Sequence, residues 1–484
     1  MLEQQEDRHP AMLRGIEVAF LIAIFAFLSM FHEIYVDDAF ITLSFARTFA
    51  ESGVWGMHAP FVSNAATSPL NVILLSGLIK LGLPGIWAAY ALECLLATAI
   101  FFALNFISRR VFGSRLWAYL ATLILFTNPL LVSTSGLETY LFITVLLGCC
   151  IAYILERYLL LGFAAGFLVL ARPDGVLLLV PLLTLMIWER KRALDFGKVI
   201  IGFAIIVGVW GVVSWLYLGS AIPDTYFIKR KEGAWGDISF AEGLALYYAN
   251  CPLATFLSLA AVVFVPFALP LAKTNSDWRR FVVLVGGLAF VHYAAYSLLR
   301  LPPYHWYYGI LVGALGLIGS AGLVTLVPRA RGPLALGLAA ALALGSMATC
   351  AEAALAHGQM PTSTNWGTVR QYRAIAEWLN VHMPAAEYRM IGELGIIQYY
   401  GRADAVNSFS DRRILRDVLN RLPNGSIRKW LAEANFTHLV LRPPVRSGYL
   451  LEENCKDSTG AVKTWTTSTT WTATPIVWCL KREK

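Results

Sequence analysis

The chain has 484 residues, of which 57% are hydrophobic and only 14% are charged, and its net charge is +8 at pH 7. Soluble domains carry about 25% charged residues, so this composition excludes a soluble enzyme, a disordered chain and a fibrous repeat. It is typical of a polytopic membrane protein, whose apolar segments of ~20 residues cross the bilayer as helices.

About eleven apolar runs are predicted to be membrane-spanning helices. Arg8 and Arg14 precede the first run, as in a signal peptide, but the run is long and many spans follow, so we expect a retained first helix. The runs lie at residues 15–32, 86–108, 116–132, 140–156, 159–172, 175–189, 197–218, 253–272, 281–299, 305–326 and 332–350.

The run at residues 68–83 is short and contains Lys80, so we predict a helix that lies in the outer interface. When this run is not counted as a span, the basic residues collect on one side, which the positive-inside rule assigns to the cytoplasm. The N-terminus is then inside, and residues 33–85, 219–252 and everything after about 355 face outside. The basic residues on the inner side are Arg109, Arg110, Arg115, Arg157, Arg190, Lys191, Arg192, Lys198, Lys273, Arg279, Arg280, Arg329 and Arg331.

Residues 356–484 have the composition of a soluble domain and follow a membrane module formed by residues 1–355. Apolar residues recur at helical spacing from Trp366 to Met383, short buried strands are predicted at 388–391 and 437–441, and the alternating run 464–480 indicates a hairpin. A small α/β domain is therefore expected on the outer face. In an oxidising compartment, the pair formed by Cys455 and Cys479 is a candidate disulfide.

An acidic pair, Asp37-Asp38, follows the first apolar run and opens a helix-like stretch from Ala39 to Ala50. One explanation is structural, because carboxylates at a helix start cap free N–H groups and are favoured by the helix dipole. The other is catalytic: a carboxylate at the membrane surface is placed to accept a proton from an acceptor hydroxyl, while the second acid orients it. Both explanations remain open for each residue.

Two outside turns carry further charged candidates. Arg172-Pro173-Asp174-Gly175 joins two spans, and Pro at a helix start with Asp as a cap explains part of this motif. Arg172 runs against the positive-inside tendency and requires a phosphate or a carboxylate as partner. Glu138, in the turn Ser135-Gly136-Leu137-Glu138-Thr139, is a candidate for substrate binding or a simple helix cap.

The remaining outside candidates are basic and aromatic. Lys229 lies in a Lys-Arg-Lys cluster, for which a solvated charge run and phosphate binding are the two explanations. Arg300 precedes a stretch that contains Tyr304, His305 and three more aromatic residues. These rings fit an interfacial belt, with stacking on a sugar as the alternative. The sequence contains no Walker loop, dinucleotide fingerprint or metal-spaced Cys/His cluster, so the energy for a reaction must come from an activated donor.

In their order along the chain, these features resemble the GT-C superfamily of multi-spanning glycosyltransferases, which use polyprenyl-phosphate-linked sugars at the outer membrane face. The resemblance covers about residues 1–400. The chain looks most similar to the branch with mycobacterial terminal arabinofuranosyltransferases, and it is also similar to protein mannosyltransferases and to the aminoarabinose transferases of lipid A. The motifs are Asp37-Asp38-Ala39-Phe40-Ile41-Thr42, Thr67-Ser68-Pro69-Leu70, the Ser-Gly-x-Glu turn, Arg-Pro-Asp-Gly, Pro223-Asp224-Thr225-Tyr226, the Tyr-rich turn and the soluble tail.

This resemblance implies a mainly α, GT-C-like bundle in a bacterial plasma membrane and an inverting sugar transfer from a polyprenyl-phosphate donor to a glycan, lipid or protein. It implies a general base at Asp37 or Asp38, and Asp37 is preferred because it matches the first acid of the family's pair. By position it assigns the donor phosphate to Arg172, Lys229 and Arg300.

The same resemblance leaves substrate contacts for Glu138, Asp174, Tyr304 and His305, and no nucleic acid is expected as a partner. Some members of the superfamily need a divalent metal, but the sequence offers no ligand set beyond the acidic pair. Residues 64–66, Asn-Ala-Ala, replace a Glu-Gly-Tyr-like stretch of the relatives, which leaves the sugar unassigned. The alternatives are a polysaccharide polymerase or ligase with a diphosphate-linked donor, a lipid or sugar transporter, and a non-catalytic scaffold.

Overall fold

The computed structural model describes residues 10–226, 234–328, 332–383, 388–402, 405–406 and 448–482, together with 420, 423–426, 429 and 433. Short 3-10 segments occupy Pro173–Leu178, Ala260–Phe264 and His305–Tyr308, and π-helical turns occupy Ser214–Leu218 and Ala353–His357. The α-helices of the membrane module are α1 (Pro10–Leu28), α2 (Asp37–Ser52), α3 (Pro69–Lys80), α4 (Gly85–Phe112), α5 (Leu116–Thr127), α6 (Pro129–Val132), α7 (Thr139–Ile154), α8 (Tyr158–Ala171), α9 (Leu179–Trp188), α10 (Ala193–Val213), α11 (Phe240–Asn250), α12 (Pro252–Leu259), α13 (Val265–Ala268), α14 (Leu271–Thr274), α15 (Ser276–Leu298), α16 (Gly309–Leu326) and α17 (Gly332–Glu352).

The apolar runs predicted from the sequence are helical over most of their length in the described part of the chain. A mainly helical membrane fold is thereby confirmed, whereas the count of eleven spans, their orientation and the module boundary at 355 stay predictions. Six apolar helices have only 10–17 residues within these ranges. Five helical segments there are long and apolar enough to cross a membrane, namely Gly85–Phe112, Ala193–Leu218, Ser276–Leu298, His305–Leu326 and Gly332–His357.

The predicted run at 116–132 divides into α5 and α6 for a local reason. Asn128 leaves the helical conformation, and its Oδ1 accepts hydrogen bonds from the N–H groups of Leu130 and Leu131 at 3.1 and 3.2 Å. Pro129 follows at the first position of α6, where its missing N–H costs nothing. The short helix α6, which begins at Pro129, is followed directly by the turn that carries Glu138.

The segment between α1 and α4 forms two helices, as the sequence predicts. The helix α2 begins with Asp37 and Asp38 in its first turn and ends at Gly53, whose φ of +73° suits glycine. The helix α3 begins at Pro69 and carries Lys80 in its last turn, so the prediction of a short helix at 68–83 is confirmed. One face of α2 is buried against α3 and against the C-terminal domain.

The C-terminal domain contains a five-stranded sheet of order β2-β1-β3-β5-β4, parallel across the first three strands and antiparallel across the last three. The predicted helix, the strand at 388–391 and the hairpin within 464–480 are confirmed, while the strand predicted at 437–441 lies outside the described residues. Cys455 and Cys479 form a disulfide. The elements are α18 (Val369–His382), β1 (Tyr388–Ile391), α19 (Gly395–Tyr400), β2 (Ala405–Val406), β3 (Tyr449–Glu452), β4 (Lys463–Thr467) and β5 (Ile476–Arg482).

A buried strap connects the last membrane helix to this domain. Residues 359–364 are all buried, and the N–H of Thr362 donates to the Ser133 hydroxyl at 2.7 Å. The turn between β4 and β5 returns to the membrane module, where the Trp471 ring lies 5.6 Å from the ring of Tyr247. The domain therefore contacts one end of the bundle at separate points.

Two half-buried carboxyl groups of the C-terminal domain, those of Glu393 and Glu453, lie close to each other. The Tyr372 hydroxyl donates to Glu393 and, at 3.1 Å, to Glu453, and the Glu393 N–H donates to Glu453 at 2.9 Å. Burial, countered in part by these hydrogen bonds, raises the pKa of Glu453 to about 7. Burial together with the charges of Glu453 and Asp37 raises the pKa of Glu393 well above its ordinary value.

Raising the pH from 5 to 8 is expected to lower the thermal stability of the protein. A carboxyl group whose pKa is raised by folding stabilises the folded state fully below its unfolded pKa of ~4.3, and this contribution is lost as the pH rises through about 7. Melting curves of the purified protein in detergent measure the effect. The variant Glu453→Gln, which stays neutral, should flatten the dependence; an equally steep dependence in the variant would contradict this assignment.

Candidate active site

A cavity of about 440 Å³ opens where the turns that carry Glu138 and Arg172 meet the start of α2. Four charged residues reach its wall, and most of the other lining residues are apolar or aromatic. The charged residues are Asp38, Glu138, Arg172 and Asp174, and the remaining wall includes Ile41, Thr42, Ala65, Ala66, Thr67, Leu137, Val176, Ile222, Pro223, Thr225, Tyr226, Tyr296, Leu299, Leu301, Trp306 and Tyr307.

The acidic pair is divided between two environments. Successive residues on a helix point about 100° apart, so Asp38 lines the cavity whereas Asp37 points into the C-terminal domain. The two carboxylate oxygens of Asp37 accept hydrogen bonds from the first N–H groups of α19: Leu394 at 3.0 Å, Gly395 at 2.8 Å and Ile396 at 2.8 Å. Burial raises the pKa of Asp37 to about 6, although these bonds oppose the shift.

Arg172 enters the cavity because the chain leaves helical geometry there. The residue ends α8 with φ −153° and ψ 133°, and Pro173 then starts a 3-10 turn that brings Asp174 beside the guanidinium. The Nε and Nη2 groups of Arg172 donate to Asp174 at 3.1 and 2.8 Å. Its Nη1 has longer contacts, to Glu138 at 3.5 Å and to the carbonyl of Trp306 at 3.4 Å.

Asp174 is held from a second direction by α15. The Tyr296 hydroxyl donates to its Oδ2 at 2.7 Å, and His292 Nε2 lies 3.0 Å from the same oxygen. The sequence analysis did not select His292 or Tyr296, since a lone histidine and a tyrosine inside an apolar run carry no motif. Asp174 therefore orients Arg172 and is itself fixed, which makes it a supporting member of the site.

The aromatic turn contributes different residues from those predicted. Tyr304 and His305 were the candidates, but Trp306 and Tyr307 line the cavity. A 3-10 turn rotates successive side chains by about 120°, so His305 points inward, with Nε2 3.1 Å from the carbonyl of Ser133. Tyr304 stacks on Trp306 with ring centroids 4.5 Å apart.

Of the predicted phosphate ligands other than Arg172, one does not line this wall and the other is not among the described residues. Arg300 is exposed, and its neighbours Leu299 and Leu301 line the cavity instead. Lys229 lies outside the described residues. Within the described ranges, no three His, Cys, Asp or Glu side chains lie close enough together to hold a metal ion.

Asn64, at the point where the sequence departs from the relatives, joins two parts of the wall. Its Nδ2 donates to the Ser214 hydroxyl at 3.2 Å and to the carbonyls of Ser220 and Ile222 at 2.9 and 3.2 Å. The N–H of Asp224 donates to the Asn64 carbonyl at 2.8 Å. These bonds hold residues 222–226 against the first outside loop.

Glu93, an acid inside an apolar run, supports the turn that carries Glu138. Its Oε1 accepts from the N–H of Gly136 at 2.7 Å, and its Oε2 accepts from the Tyr35 hydroxyl at 3.4 Å. Gly136 has a φ of +80°, and a Cβ there would lie 2.9 Å from the Tyr35 ring. An ionisable residue in an apolar run is a signal that sequence reasoning can use, and it was missed.

Replacing Asn64 with alanine is expected to destabilise the fold by about 2–3 kcal/mol, because buried acceptors lose their donor. Thermal unfolding in detergent should show a clear decrease in melting temperature. Asn250, whose amide is exposed and bonds only within its own helix, is the matched control, and Asn250→Ala should stay within ~0.5 kcal/mol. Equal melting temperatures for the two variants would show that the Asn64 contacts do not hold the wall.

No protein-family model matches the sequence, and no curated protein is similar to it in sequence. The fold, however, is shared with solved structures. ArnT from Cupriavidus metallidurans bound to undecaprenyl phosphate has a TM-score of 0.63 at 12% identity, over 96% of this chain and 98% of ArnT. The apo state of ArnT gives 0.62 at 14% identity, over 97% and 98%.

The arabinofuranosyltransferase AftD from Mycobacteria has a TM-score of 0.54 at 15% identity, over 97% of this chain but only 40% of AftD. These neighbours are glycosyltransferases of the GT-C type. The chain therefore shares its fold with ArnT and with the matched part of AftD, and the mainly helical membrane fold that the order of motifs implies is confirmed.

Proposed function

We propose that this protein is an inverting glycosyltransferase that moves a sugar from a polyprenyl-phosphate donor to a glycan, lipid or protein acceptor at the outer face of a bacterial plasma membrane. The observation that carries the proposal is the cavity itself, where Asp38 and Arg172 meet apolar walls at the outer ends of the spans. A GT-C fold surrounds this cavity, and ArnT, which shares the fold, has been solved with undecaprenyl phosphate.

A lipid-linked donor fits the chemistry of the wall. Val176, Ile222 and Leu299 line the cavity and are exposed, so its wall offers accessible apolar surface to a lipid chain. The phosphate then belongs near Arg172, whose Nη1 has only long contacts and remains a good donor for an anion. Trp306 and Tyr307 offer ring faces for the sugar.

Asp38 is assigned as the general base in preference to Asp37. The Asp38 carboxylate accepts the proton of the acceptor hydroxyl, whose oxygen forms a bond to the anomeric carbon while the bond from that carbon to the phosphate oxygen breaks. The electron pair of the broken bond leaves with polyprenyl phosphate, and its charge is stabilised by Arg172. Attack opposite the leaving group inverts the anomeric configuration.

The outer location rests on two features of the chain. Cys455 and Cys479 form a disulfide in the C-terminal domain, which is typical of an extracytoplasmic compartment. The positive-inside pattern independently assigns the same side to this domain.

Replacing Asp38 with asparagine is expected to lower turnover by about 10²–10⁴-fold, because the amide cannot accept the proton. The measurement is release of polyprenyl phosphate by purified protein from a panel of polyprenyl-phosphate sugars, with a cell-envelope extract as acceptor. Wild-type protein that releases nothing from these donors but turns over diphosphate-linked donors would instead favour a polymerase or ligase.

Replacing Arg172 with alanine is expected to weaken the binding of undecaprenyl phosphate by about tenfold or more, the effect of losing one charge-assisted contact of ~1.5 kcal/mol. Binding is measured directly with the wild type and the variant in detergent. Arg300→Ala is the matched control, because Arg300 is exposed and adjacent to the wall without lining it. A larger loss of affinity in Arg300→Ala than in Arg172→Ala would indicate that the phosphate binds Arg300 instead.

A further inference from the structure

The contact between α2 and α19 ties the cavity to the C-terminal domain. Its first part is the set of hydrogen bonds that the Asp37 carboxylate accepts from three N–H groups at the start of α19. In addition, the N–H of Asp37 donates to Oδ1 of Asn365 at 3.3 Å. Both the backbone and the side chain of one residue in the first turn of α2 are thus bound to the domain.

The same helix is fixed further along its length. The Phe40 ring packs edge-on against Tyr399, with centroids 5.3 Å apart. Arg47 donates to the carbonyl of Tyr399 at 2.8 Å, and its guanidinium lies 4.7 Å from the centre of that ring. These contacts determine the rotation of α2 about its axis, and that rotation determines which acid faces the cavity.

Glycine at position 395 permits this close approach. A Cβ on Gly395 would lie 2.1 Å from the backbone carbonyl oxygen of Asp37 and 3.1 Å from its carboxylate. A larger residue there must push the two helices apart, because the nearest atom belongs to the backbone.

We propose that Asp37 is a positioning residue: its carboxylate caps α19 and thereby holds the first turn of α2 at the rotation that presents Asp38 to the cavity. This proposal rests on the proposed function, in which Asp38 is the base. Asp37 is unsuited to that role, since it does not line the cavity and its oxygens already accept three backbone hydrogen bonds. The C-terminal domain consequently acts as a part of the active-site scaffold.

The test compares two variants that alter the contact in different ways. Asp37→Asn places an NH₂ group against backbone N–H donors, while Gly395→Ala separates the helices and leaves every ionisable group in place. Both should lower kcat by about 10²-fold, as expected for a misplaced catalytic group, and change KM for the donor by less than about threefold. Gly448→Ala, at a glycine of the same domain with open space around it, is the control and should match the wild type.

Amide exchange at residues 394–396 gives a second readout that does not depend on turnover. Exchange should be at least about tenfold faster at one or more of these amides in Asp37→Asn, whose side chain keeps only one acceptor oxygen, and at all three in Gly395→Ala, where the helices are pushed apart. In Asp38→Asn, exchange should equal that of the wild type even though turnover is lost. This pattern separates a residue that holds the helix from one that performs chemistry.

The outcomes distinguish this proposal from the proposed function. If Gly395→Ala keeps the wild-type kcat while Asp37→Asn loses turnover with unchanged exchange, Asp37 acts in the chemistry and the positioning role is wrong. If exchange increases in both variants and kcat does not change, the contact does not position Asp38. A wild-type protein that releases no polyprenyl phosphate from any donor overturns the proposed function, and the positioning role for Asp38 with it.

Discussion

The buried ion pair between Arg172 and Asp174 is the interaction on which the arrangement of the cavity depends. A guanidinium does not lose its proton in proteins, so an arginine that is almost fully buried must be paired or it costs several kcal/mol. Asp174 supplies that partner, and Tyr296 and His292 bind the remaining face of its carboxylate. The buried charge of Arg172 requires these partners. It therefore brings together the turn after α8, one end of α15 and the turn with Glu138.

The same requirement explains the supports around the cavity. Glu93 and Asn64 are buried polar side chains in mainly apolar surroundings, and each forms hydrogen bonds with backbone groups of a loop as well as with one side-chain hydroxyl. Loops at a membrane surface have few apolar contacts to define their shape. Buried polar groups with fixed hydrogen-bond partners define the shape of these loops, as side-chain packing does elsewhere. Leaving such a partner unpaired costs about 1–3 kcal/mol. The cavity is therefore built from short-range polar contacts between segments distant in sequence.

Local sequence patterns predicted most of the fold and the four charged residues that line the cavity. Apolar runs, a proline at a helix start and the alternation at 464–480 are properties of neighbouring residues, and the helices and the hairpin followed from them. Asp38, Glu138, Arg172 and Asp174 meet because they lie at the same ends of adjacent helices. The choice between Asp37 and Asp38 was beyond local reasoning, since it depends on the rotation of α2, which a contact with α19 determines.

That contact has a consequence for how the molecule is made. Asp37 precedes the first N–H group that it binds by 357 residues, so α2 is synthesised long before α19. Until then, the Asp37 carboxylate lacks the three N–H groups that fix it, and only packing on earlier helices such as α3 can orient the first turn of α2. A truncated chain that ends before α19 would therefore contain both acids of the pair without the contact that fixes Asp37.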